Sequence, residues 1–168
     1  MTEVAMELVG VRIELPSNQP IVLLREVEGS RYLPIWIGAV EATAIAYALE
    51  GILPQRPMTH DLLKNATESL GATVSRVIVT ELRENVFFAD LVFSRNGDEV
   101  RVSSRPSDAI ALAARSGAPL FANAEVLDEA GIELRDDDEE EAVARMREFL
   151  DRVTPSDFEG GPAVDEQD

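Results

Sequence analysis

The chain contains no cysteine, which excludes disulfides, thiolate metal centres and a cysteine nucleophile, and fits a reducing compartment. Aromatic residues are scarce, at 5% of 168 positions, so a core must be built from valine, isoleucine, leucine and alanine. Lys64 is the only lysine and His60 the only histidine. No stretch reaches the roughly 18–20 consecutive apolar residues that span a bilayer. The opening MTEVAMELVG lacks the basic segment and apolar run of a signal peptide. Together these absences predict a cytoplasmic protein without a membrane segment. Glycine-rich phosphate loops, HExxH and GxSxG are also missing, so Ser103, Ser104 and Ser107 stand without a recognisable base. No basic run alternates with aromatics as it often does in single-strand binders, and Trp36 in LPIWIG reads as a packing residue.

What is present is 45% hydrophobic residues, enough for one folded domain at this length. The net charge of −17 is unevenly spread: residues 1–124 carry 11 basic and 15 acidic side chains, and residues 125–168 carry 4 and 17. The acidity therefore belongs mainly to a tail, and we divide the chain into a domain over 1–132 and a tail over 133–168. Six consecutive acids, Asp136 to Glu141, lead into Val143, Met146, Leu150 and Val153. That 3-4-3 spacing predicts a short amphipathic helix over about 138–153, its acidic start suited to the helix dipole. Residues 154–168, with two prolines, two glycines and more acid, are expected to be disordered.

Within the domain, apolar runs broken by turn residues predict three strands, over 4–15, 20–28 and 31–38. An alanine-rich helix follows, closing on Gly51, and a second helix covers Thr59 to Leu70. Three more strands and a helix over 106–117 complete the pattern, the helix opening on Pro106 and ending on Gly117. PLFAN adds a short strand and AEVLDEAG a short helix. At an offset of 65 residues AIAYA answers AIALA, and Ile35 and Ile37 fall on Val100 and Val102. The expected fold is α+β: a mainly antiparallel sheet from two strand-strand-strand-helix units, an internal duplication if the repeat is real, with an extra helix between them.

The candidate chemistry gathers around RPMTHDLLKN. On a helical wheel, Met58, Leu62, Leu63, Ala66 and Leu70 form the apolar face predicted to be buried, and His60, Asp61, Lys64 and Glu68 fall on the other. Thr59 is the natural N-cap. Arg56, His60 and Lys64 then lie near the unpaired N–H groups of a helix start, a phosphate-site pattern. Histidine changes charge nearest neutral pH and serves as general acid or base. A capped, solvated helix start is the competing reading. Glu41 and Asp108 each sit near the start of an alanine-rich helix; they either complement the helix dipole or hold a divalent cation such as Mg or Mn. Arg105 would add a phosphate contact there.

The segments LPIWIGAVEATAIAYALEG, RPMTHDLLKNATESLGATV and SSRPSDAIALAARSGAPLFANAEVL, in this order, resemble the bifunctional nuclease domain family over roughly residues 4–130. The resemblance implies a compact α+β domain acting on both RNA and DNA. Its family-like polar residues are Glu41, Arg56, Thr59, His60, Asp61, Lys64, Arg105, Ser107 and Asp108. The leading expectation is a nuclease with little sequence selectivity, in which His60, Asp61 and Asp108 are catalytic and Arg56, Lys64 and Arg105 bind phosphate. Asp108 and Glu41 are the candidate cation ligands. Because the chain is acidic, binding of RNA and DNA should be weak and salt-sensitive. The alternative is a non-enzymatic regulatory or scaffold domain whose acidic tail binds a basic partner; in a third reading the tail covers the site as a nucleic-acid mimic. Buried alanine helices and an open sheet edge suit a homo-oligomer such as a dimer.

Overall fold

Short turns between apolar runs leave each strand little choice but to pair with its neighbour. In the computed structural model, which describes residues 2–134 and, beyond them, 143, 144, 146–148 and 151, strands β1 (Glu3–Glu14), β2 (Gln19–Glu26) and β3 (Tyr32–Trp36) form an antiparallel meander. Helix α1 (Ala39–Leu49) follows, then α2 (Thr59–Ser69). Strands β4 (Thr73–Arg83), β5 (Val86–Arg95) and β6 (Asp98–Ser104) make a second meander, followed by α3 (Pro106–Ser116). A short strand β7 (Leu120–Asn123) leads into α4 (Ala124–Ala130). The fold is α+β, as expected.

All seven strands form one sheet, in the order β3-β2-β1-β7-β4-β5-β6. The two meanders are joined through β7, which is antiparallel to β1 (Met6 opposite Leu120) and parallel to β4 (Val77 opposite Leu120). Asn123 reinforces this joint by donating its side-chain amide to the Thr80 carbonyl at 2.9 Å. One parallel pair in an otherwise antiparallel sheet agrees with the mainly antiparallel pairing expected. It is possible because α3 returns the chain across the sheet between β6 and β7.

One apolar cluster unites the halves. Val22, Leu24, Leu33 and Ile35 of the first unit meet Val77, Val79, Leu91 and Phe93 of the second, under Ile45 of α1 and Ile110 and Leu112 of α3. Each such side chain, fully buried, stabilises the fold by about 1.5–3 kcal/mol. Helix α1 rests on β1 and β2, α3 rests on β4 and β5, and the two helices pack against one another. Their spacing brings the starts of both helices, and whatever polar groups they carry, to one region. Helix α2 packs against α3. No helix among the described residues is long and apolar enough to cross a membrane. Of the expected tail helix, the described residues are helical and Met146 packs partly buried against the core. The six-acid run and residues 154–168 lie outside the described residues.

Arg31 fastens the β2–β3 turn to α4. Its guanidinium donates to Glu26 Oε1 at 3.1 and 2.7 Å and to Asp128 Oδ1 at 2.9 Å, and its backbone N–H donates to Glu26 Oε2. The hydrogen bonds from Arg31 outweigh the cost of burial and hold the Glu26 carboxyl below its ordinary range. A carboxyl whose pKa is lower folded than unfolded adds stability above its unfolded pKa. That stability is lost as pH falls through the folded value. Glu26→Gln should therefore lower the melting temperature near neutrality and flatten its fall under acid. Melting curves across the acid range, wild type against variant, check this; parallel curves would show that the pair carries no proton linkage.

Candidate active site at the first turns of three helices

Each of the three helices contributes one side chain from its first turn. Helix α1 begins after Gly38 and has Glu41 in its first turn; α3 begins with Pro106, whose fixed φ suits a first helical position, and has Asp108 in its first turn. Both acids occupy the third helical position, where a negative charge complements the dipole. Helix α2 begins at Thr59, with Asp61 Oδ2 accepting the Met58 N–H at 3.0 Å. The N-cap is thus Met58 rather than Thr59, and the capping oxygen comes from three residues ahead.

These starts meet in a continuous polar chain. His60 Nε2 lies 2.9 Å from Asp108 Oδ1. Arg105 grips the same carboxylate with two prongs, Nε to Oδ2 at 2.9 Å and Nη2 to Oδ1 at 3.1 Å, and its Nη1 donates to Glu41 Oε1 at 3.0 Å. The order is His60–Asp108–Arg105–Glu41, from α2 across α3 to α1. The imidazole is largely enclosed, with 13% of its surface exposed, whereas the Arg105 side chain is 63% exposed.

Burial pushes the Asp108 carboxyl up, but hydrogen bonds from Arg105 and then His60 outweigh it, and the pKa lies below the usual carboxylate value. Hydrogen bonds to Asp108 and Glu41 raise the Arg105 pKa, so the guanidinium stays charged. An ionised carboxylate only accepts hydrogen bonds, so Nε2 of His60 carries the proton it donates. Among the described residues no buried side-chain nitrogen or oxygen lacks a hydrogen bond. Nδ1, which has no hydrogen-bond partner among the described residues, is therefore the nitrogen left toward solvent. The result is an imidazole oriented by a carboxylate at one nitrogen and free to exchange a proton at the other, the arrangement of a general acid or base.

The structure separates the remaining expected residues from this chain. Asp61 does not reach His60: its Oδ1 accepts Arg115 Nε at 2.7 Å and its Oδ2 serves Met58. Lys64 pairs along its own helix with Glu68 at 3.5 Å. Arg56 is exposed in the loop before α2 and makes no ion pair among the described residues. The expected orientation of α2 is reversed. Leu62, Ala66 and Leu70, assigned to the buried face, are exposed, and the side turned to the protein carries His60, Asp61, Leu63, Lys64 and Thr67, all partly buried. His60 is accordingly a packed residue held by Asp108 and not part of a solvated helix start.

Arg115, which the sequence reading passed over, is the hidden support of the site. Its side chain is 8% exposed and ties three helices: Nε to Asp61 of α2, Nη1 to the Ala111 carbonyl of α3 and Nη2 to the Ala44 carbonyl of α1, the last two at 2.9 Å. The signal was a lone arginine in the last turn of an alanine-rich helix, a charge that must find partners if buried.

Glu41 and Asp108 both face Arg105, and among the described residues no group of three or more histidine or acidic side chains is placed to hold a metal ion. As arranged, this pair bridged by a guanidinium does not fit a hydrated divalent cation. Beside Arg105 lies a cleft of about 410 Å³, whose walls include Trp36, Gly38, Glu41, Asn85, Phe87 and Ser107.

The comparisons with known proteins converge on the same segments. The family model of the bifunctional nuclease domain matches residues 22–135, a span that contains every residue of the polar chain and Arg115. The uncharacterized protein Rv1829 of Mycobacterium tuberculosis is 46% identical over 161 residues, covering 91% of this chain and 96% of that protein. Bifunctional nuclease 2 of Arabidopsis thaliana is 31% identical over 115 residues, and bifunctional nuclease 1 of Oryza sativa subsp. japonica is 28% identical over 120. Those matches cover 65% and 70% of this chain but only 35% and 36% of the plant proteins. With the family model covering residues 22–135, which include the first-turn residues and the arginine that holds their helices together, the chain belongs to the bifunctional nuclease domain family.

Proposed function

We propose that the protein is a nuclease that hydrolyses phosphodiester bonds of RNA and DNA with little sequence selectivity. The observation that carries the reading is the 2.9 Å contact between His60 Nε2 and an Asp108 carboxylate that Arg105 holds with two prongs. DNA has no 2′-hydroxyl, so a protein cutting both polymers uses water. His60 Nδ1 takes a proton from the attacking water and, once protonated, returns one to the leaving oxygen. Arg105, charged and more than half exposed, faces the phosphate, where charge develops during the reaction. The names of the plant relatives support this assignment.

Charge sets the expected strength. Arg105 against Glu41 and Asp108 leaves one net negative charge, which protonation of His60 cancels. Backbone phosphates meet little attraction, so binding is weak and falls further with salt. A Mg or Mn requirement is the alternative within the same proposal, and it demands that Arg105 release the two carboxylates. A homo-oligomer and a basic partner for the acidic tail also belong to the proposal.

The test is cleavage of single-stranded RNA and DNA by purified protein, with and without chelator, beside Asp108→Asn. The asparagine side chain keeps the shape of the aspartate, but it is uncharged and no longer fixes the proton on Nε2. We expect cleavage that survives chelation and falls by at least tenfold in the variant. Loss of cleavage with chelator moves the reading to the cation. A folded variant that cleaves like wild type removes Asp108 from the site. Absence of turnover under every condition favours the regulatory or scaffold domain.

A further inference from the structure

Trp36 ends β3 with 52% of its surface exposed, although it is the largest apolar side chain in the molecule. The indole Nε1–H donates to Glu14 Oε2 at 2.7 Å, which restrains the ring. Trp36 is one of the residues lining the cleft beside Arg105, together with Gln19, Glu41, Asn85 and Phe87. Asn85 is placed there by the β4–β5 turn, where Glu84 and Asn85 adopt positive φ of 51° and 62°. The cleft's 410 Å³ lies within the range of about 300–1,000 Å³ that holds small organic ligands.

We propose that this cleft takes one unpaired nucleobase, stacked on Trp36, while Arg105 meets the adjoining phosphate; the protein thereby selects single strands over duplexes. The inference rests on the nuclease reading and names its substrate class. Every base has a π-face, so stacking on an aromatic ring binds without regard to sequence. The amides of Gln19 and Asn85 each both donate and accept hydrogen bonds, and so match the edge of any base. A base held in a duplex has both its faces and its pairing edge occupied, and it cannot enter. The same cleft offsets the poor electrostatics: stacking supplies affinity where phosphate attraction is weak.

Trp36 is the only tryptophan in the chain, so its fluorescence reports on this cleft alone. The experiment titrates the full-length chain, as His60→Ala to prevent cleavage, with a short oligothymidylate, an abasic strand of the same length and a duplex. Quenching should saturate with oligothymidylate and be absent with the other two. Binding of a labelled oligothymidylate, followed by anisotropy, should weaken about 5- to 150-fold in Trp36→Leu and recover most of its strength in Trp36→Phe. Equal binding of abasic and base-bearing strands, unchanged binding by Trp36→Leu, or no binding of any strand overturns the proposal. Because binding is read without turnover, the two readings separate. Stacking on Trp36 in a wild-type protein that never cleaves leaves the cleft assigned and removes the nuclease. Cleavage that is indifferent to Trp36→Leu does the reverse.

Discussion

Replacing His60 with alanine is expected to lower phosphodiester cleavage by about 10²- to 10⁴-fold on both RNA and DNA, the range for removing a positioned general acid or base. The fold should tolerate the change. Asp108 keeps both prongs of Arg105, and the lost hydrogen bond to its charged carboxylate costs about 1.5–3 kcal/mol. Burial of Asp108 is outweighed by hydrogen bonds from Arg105 and His60, which lower its pKa, so it holds the imidazole as an ionised acceptor. The decisive readout is the rate on both polymers for folded His60→Ala beside wild type. A variant with wild-type rates on both polymers would detach His60 from catalysis and leave it as a packing residue of α2.

The elements were legible because their punctuation is physical. Pro106 and Gly117 bracket α3 as read, and Gly117 indeed adopts a positive φ of 72°. The alternating strands were equally visible, since a strand with one buried face repeats every two residues. The β7–β4 pairing was not, because a four-residue strand carries no sign of which neighbour it will join or in which direction. Helix α2 was misread for a more instructive reason. A wheel assumes that the apolar stripe faces the core, yet α2 spends its inward face on His60, Asp61 and Lys64 and leaves Leu62 and Leu70 outside. A helix that buries polar groups against its own pattern gives up apolar burial, and sites are where such exchanges are found. Arg105 was read as a phosphate contact beside Asp108, and in the structure the two pair directly with one another at i,i+3. Asp61 was misplaced because adjacency to His60 in the chain puts it about 100° away around the helix.

Arg115 should be the most destabilising charged residue to lose. Arg115→Ala removes a guanidinium that is 8% exposed and joined to Asp61 at 2.7 Å and to carbonyls of Ala44 and Ala111. Breaking a fully buried ion pair from one side costs about 3–5 kcal/mol; the loss here lies toward the lower end of that range, because the Asp61 left behind is 27% exposed and still accepts the Met58 N–H. Asp61→Asn should cost less, about 1–3 kcal/mol, because its amide oxygen still serves Met58 while Arg115 keeps two carbonyls. Arg115→Lys should recover little, since one ammonium cannot span three directions that a planar fork reaches at once. The double variant Asp61→Asn with Arg115→Ala should be less destabilised than the sum, by about 0.5–3 kcal/mol. Denaturant unfolding of wild type, the two single variants and the double variant measures this coupling, and additive losses would show that Arg115 acts without Asp61. The same arginine predicts the order of failure in function. With α2 no longer tied to α1 and α3, His60 loses its fixed approach to Asp108, so cleavage should fall in Arg115→Ala even under conditions where the protein is still folded.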